Sequence, residues 1–181
     1  MFGLGGKWKR HSGDRLERLA RSIEAIAERD RQFVDESSLV DKHREEGAAQ
    51  LYALCREFVD NLNQIMAEPA LVLDPPSWSA ESFRESGPNL IQISLRGRLL
   101  QLEYESTEEP WCTEDFRHRY VLRGDVRSFN QNFLEQDTVD EQQIFFCPLE
   151  SGSAWHFFDT RTYRTGLVSL DYLASELERL L

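Results

Sequence analysis

Prolines divide this chain into two parts that obey different periodicities. Residues 14–68 are rich in Leu, Ala, Glu and Arg, with apolar residues recurring at helical spacing. Beyond Pro69 and the Pro75-Pro76 pair, short runs alternate apolar and polar residues and are studded with aromatics. A period near 3.6 and a period of 2 cannot share one element, so the chain must combine helices with a sheet. Runs of helix followed by runs of strand predict an α+β fold rather than alternating βαβ units.

In the helical part, Leu16, Leu19, Ile23, Ile26 and Phe33 step by three, four, three and seven residues, and Asp30 occupies the one missed seam position. That is an amphipathic helix with an a/d stripe, starting near Asp14. Ser38 with Asp41 three residues later resembles a capping box and predicts a second helix start. The second helix carries Leu51, Leu54, Cys55, Phe58, Leu62 and Ile65 and ends before Pro69, with Gly47 weakening it locally by about 1 kcal/mol. Two N-terminal helices are therefore expected over 14–68. Alternating steps of three and four nevertheless run from Leu16 through Phe33, Val40, Leu51, Leu54, Phe58 and Ile65 without a phase slip. One long helix is the alternative. The stripe suits either a helix–helix interface with another chain or packing on the protein's own sheet.

In the strand part, Arg96-Gly97 reads as a two-residue hairpin turn between residues 89–95 and 98–105. A turn there opposes Leu95 with Arg98, Ile93 with Leu100, Ile91 with Leu102 and Asn89 with Tyr104. Apolar groups then share one face, and Gln92 and Gln101 lie on the wet one. A second hairpin joins 142–149 to 154–159. Pairing about Ser151-Gly152 opposes Phe146 with Phe157, Phe145 with Phe158 and Cys147 with His156. Aromatics on both faces predict strands covered on both sides. A further strand, 117–123, carries Arg117, Arg119 and Arg123 on one face, and 124–141 reads as a long connection. Ser169 caps a C-terminal helix with its apolar face at Leu170, Leu173, Leu177, Leu180 and Leu181. The expectation is thus a basic-aromatic arm over 1–13, a helical arm over 14–68, and over 69–181 an antiparallel sheet of about five or six strands with a C-terminal helix packed on it.

Composition limits the function. A net charge of −11 opposes nucleic acid and anionic lipid. Three cysteines at irregular spacing, with no secretory segment after Met1, predict reduced thiols in a cytoplasmic protein. No apolar run approaches the roughly 20 residues a membrane helix needs, so no stable membrane insertion is expected.

Candidate chemistry is sparse. Cys112, His118, Cys147 and His156 are the one set with metal-ligand chemistry, but spacings of five and eight residues lack the close pairs of structural zinc sites, and no metal is expected. Cys147 and His156, with Asp159 near in sequence, could be read as thiol nucleophile, base and orienter. Flanking by Phe146 and Pro148 raises a thiol pKa, however, and a buried small hydrophobe is the plainer reading. The acidic run Glu103, Glu105, Glu108, Glu109, Glu114 and Asp115 lacks calcium-loop spacing and reads as a solvated edge facing the arginine row. Trp111 beside Pro110 could be an exposed anchor within it. Arg123-Gly124-Asp125 reads as a turn. Residues 1–11 hold Phe2, Leu4, Trp8, Lys7, Lys9 and Arg10 without an acid, a short arm that could touch lipid or a partner. Its glycines follow no strand and fit no phosphate loop, and no cofactor is expected.

These features favour a non-enzymatic cytoplasmic interaction or regulatory module, a homodimer joined through Leu16, Leu19, Ile23, Ile26 and Phe33. A small enzyme or ligand-binding protein with a pocket between sheet and helices is the alternative. A membrane- or nucleic-acid-associated adaptor acting through residues 1–11 comes third.

Overall fold

The computed structural model describes residues 7–114, 116–130, 140–149 and 152–181, with only the backbone described at 7–14, 109, 130 and 140. One helix, α1 (Lys7–Ile65), replaces the two expected. Ser37 and Ser38 offer caps but neither proline nor glycine, and the unbroken apolar phase rewards a continuous helix. The helix also starts earlier than Asp14, so Lys7–His11 of the basic-aromatic arm belong to it, while 1–6 lie outside the described residues.

Seven antiparallel strands follow among the described residues, in simple sequential order: β1 (Leu71–Asp74), β2 (Asn89–Leu95), β3 (Arg98–Trp111), β4 (Tyr120–Asn130), β5 (Asp140–Cys147), β6 (Ala154–Asp159) and β7 (Arg164–Leu167). A short helix, α2 (Leu170–Glu178), closes the chain, with Ser169 Oγ accepting from the Tyr172 amide as its N-cap. The chain comprises two units, Met1–Leu39 and Val40–Leu181; the second holds the sheet, α2 and residues 40–65 of α1.

The β2–β3 hairpin has the expected register, with Ile93 opposite Leu100 and Ile91 opposite Leu102. Arg96 at φ 44° and Gly97 at φ 83° form the tight turn, which two-residue hairpins need to match strand twist. Gln92 and Gln101 are half-buried rather than exposed, their amides 3.4 Å apart on the outer face.

Three expectations are corrected. The 117–123 strand begins at Tyr120, so Arg117 and Arg119 are exposed and lie ahead of it. Within the long connection assigned to 124–141, residues 124–130 continue β4 and 140–141 begin β5, while 131–139 lie outside the described residues. Arg123-Gly124-Asp125 is therefore mid-strand and not a turn, with Gly124 paired to Tyr104. A side chain there would drive its Cβ to within 2.2 Å of the Glu103 carbonyl oxygen, so only glycine fits this crossing.

The core lies between the sheet's inner face and the two helices. Ala48, Leu51, Cys55 and Phe58 of α1 meet Ile93, Leu102, Leu122 and Phe146, and Leu173 and Leu177 of α2 close the other side. Ile65, expected on the apolar face, is exposed at the helix end. Arg44 is buried at the edge of this core. Its guanidinium donates to Asp41 at 3.2 Å, to Glu85 and to the Thr107 carbonyl, the pairing a buried cation requires.

Candidate functional site

The outer face of the sheet carries two regions. Along β3, β4 and β5 runs a charged ladder. Arg123 Nη2 lies 2.6 Å from Glu105, and Arg127 reaches Glu141 at 3.1 Å, Glu103 at 3.4 Å and Asp125 at 3.8 Å. Burial, with Glu141 beside it, pushes the Asp125 carboxyl above its ordinary range. The expected pairing of the arginines with the β3 glutamates is thus present at Arg123. These cations are matched by carboxylates and present no open anion seat.

Beyond the ladder, Phe145, Cys147 and Phe158 form a second small core covered by Phe116 and Tyr120. The irregularity between Ser106 and Trp111 creates it. Alternation breaks across from that point, so that Val121 and Leu122 both enter the main core while Tyr120 joins this cluster.

The predicted thiol and imidazole residues meet here only in part. Cys147 lies opposite Ala154, and His156 lies opposite Phe145. The expected register is therefore displaced by two residues. The Gly152 amide donates to the Leu149 carbonyl at 3.0 Å, so the chain turns one residue earlier than the expected centre at Ser151-Gly152; Glu150 and Ser151 lie outside the described residues. Faces survive a two-residue slip, so both sides of β5 remain aromatic as expected.

Burial pushes the Cys147 thiol up to about 12, the wrong direction for a nucleophile. Burial first, and then the nearby His118, lower the His156 imidazole. His118 and His156 stack with ring centres 5.9 Å apart. Cys112 is exposed on the segment beyond β3. Among the described residues, no three His, Cys, Asp or Glu side chains converge to hold a metal ion.

A groove of about 680 Å³ opens between α1 (Gln50, Leu54, Glu57), Trp155 of β6 and the start of α2 at Leu170. Sequence periodicity does not show such a space, because it arises from the separation of elements distant in the chain.

The remaining feature lies in the first unit. Leu16, Leu19, Ile23, Ile26 and Phe33 are 55–73% exposed, and Val34 adds to the same side of α1. Residues 15–39 are exposed throughout. Two ion pairs lie within this segment of the helix, Glu17 with Arg21 and Glu28 with Arg31, each at 3.5 Å. A helix so apolar on one side is stable in water only with a partner or at a cost in solubility.

The fold and this surface define an α+β protein with an antiparallel meander and a helix-borne apolar seam. Compared with protein-family models, with characterised proteins and with solved structures, the chain matches none. No helix among the described residues is long and apolar enough to cross a membrane.

Proposed function

We propose that this chain is a non-enzymatic cytoplasmic interaction module whose working surface is the seam Leu16, Leu19, Ile23, Ile26 and Phe33, and whose partner is a second copy of itself. The observation that carries the reading is the exposure of this stripe, with Leu19 at 55% and Ile23 and Ile26 at 57%. Full burial of such a side chain contributes about 1.5–3 kcal/mol, so burying the exposed half of each, ten in a dimer, contributes about 8–15 kcal/mol gross. Association costs about 4–15 kcal/mol, which makes dimerisation concentration-dependent rather than obligate. Reduced cysteines and the −11 charge favour a cytoplasmic protein partner over nucleic acid.

Sedimentation velocity over a concentration series tests the reading. The wild type is expected to pass from monomer to dimer, and Leu19→Asp with Ile23→Asp to remain monomeric. A wild type that stays monomeric throughout, or a double variant that still dimerises, overturns it.

A second reading, a small-ligand protein, draws on the groove beside Leu54 and Trp155, whose lining is largely apolar but includes Gln50, Glu57, Ser169 and Asp171.

A further inference from the structure

We infer that the two copies pair antiparallel, about a two-fold axis passing between Glu24 and Ala25 of each helix, a geometry that rests on the self-association proposed above. In heptad terms Leu16, Ile23 and Asp30 occupy a, and Leu19, Ile26 and Phe33 occupy d.

A parallel pair sets like positions together. Asp30 would then face Asp30 of the second copy inside the seam, two carboxylates with no cation between them. Glu36 at g would face Asp41 at e, a second like-charge contact. The antiparallel pair removes both. Its core layers join Leu16 to Phe33, Ile23 to Ile26 and Leu19 to Asp30, so no two carboxylates meet.

The flanks agree. Arg15 and Glu36 sit at g, 21 residues or about 31 Å apart along one helix, and neither has an ion-pair partner among the described residues. An antiparallel partner brings Arg15 of each copy to Glu36 of the other, twice by symmetry. On the opposite flank Ala20 meets Ala27, and small e residues let the axes approach toward the 8 Å end of the usual range. Sliding the pair by one heptad sets Arg29 against Arg29 across the axis and loses the Arg15–Glu36 contacts, so charge fixes register as well as direction.

Charge reversal at the flanks tests the arrangement, because one substitution has opposite signs in the two geometries. Dimer dissociation constants are measured by sedimentation at low ionic strength for Arg15→Glu, Glu36→Arg and the two combined, with helicity checked by circular dichroism. The antiparallel pair predicts that each single reversal weakens the dimer about tenfold and that the combination restores it to within about threefold of wild type. In a parallel pair Glu36→Arg faces Asp41 and tightens the dimer, while Arg15→Glu does little. That result, or a dimer indifferent to all three variants, overturns the antiparallel register and leaves self-association standing. A wild type monomeric at every concentration overturns both.

Discussion

The indole Nε1 of Trp155 donates a hydrogen bond to the backbone carbonyl of Gly47 at 2.7 Å. This contact ties the start of β6 directly to the backbone of α1. It is possible only because position 47 is glycine. A Cβ there would lie 2.6 Å from Phe146 Cδ1 and 2.8 Å from Leu122 Cδ1, and both side chains are fully buried with nowhere to shift.

Gly47→Ala therefore sets two effects against each other. Alanine favours the helix by about 1 kcal/mol, whereas overpacking a filled core costs about 1–3 kcal/mol and also lengthens the Trp155 bond. Packing should win. Urea unfolding is expected to show a net loss of about 1–2 kcal/mol, and a variant more stable than wild type would mean that α1 can lift from the sheet at no cost.

The same residue shows why the sequence is readable in some places and opaque in others. From propensity alone Gly47 is a defect in a helix; it makes sense only against Phe146, 99 residues away. The β2–β3 register was legible because a two-residue turn with Gly97 permits one alternation and no other. The β5–β6 register was not, because nothing in 148–153 fixes where a six-residue connection folds. In β4, Gly124, Asp125 and Ser128 look like loop residues. They serve a strand whose outer face is charged and whose inner face is crowded by Tyr104. For α1, phase continuity was a better guide than the Ser37-Ser38 break. The seam at Leu16, Leu19, Ile23, Ile26 and Phe33 was visible in the sequence, but only the folded chain's packing separates an exposed stripe from a buried one.

Thiol accessibility bears on the enzyme alternative. Cys112 is exposed, whereas Cys55 and Cys147 are buried, and burial pushes both thiols up to about 12. At pH 8 roughly one in 10⁴ of such thiols is ionised, and the thiolate is the reactive species. An aromatic disulfide reagent is expected to consume one thiol per chain quickly in the native protein and all three in urea. Rapid native labelling traced to Cys147 by peptide mapping would return this thiol to candidacy as a nucleophile.

The last prediction concerns pH. His156 stands half-buried against Phe116 and the stacked ring of His118, and its Nε2 is buried with no hydrogen-bond partner among the described residues. Burial and the neighbouring imidazole hold its folded-state pKa below the ordinary value of about 6.5. Below that value the unfolded chain takes up a proton that the folded chain resists, so the unfolded state binds more protons and stability rises with pH across this window. The contribution is complete above about pH 7 and is lost as the pH falls through the folded pKa. His156→Phe keeps an aromatic ring beside Phe116 and removes the titration. Urea unfolding at pH 7.5 and 5.5 should therefore show the wild type losing more stability on acidification than the variant does. Equal losses, or a wild type that gains stability at pH 5.5, would mean that the imidazole is solvated and that the second core is open to water.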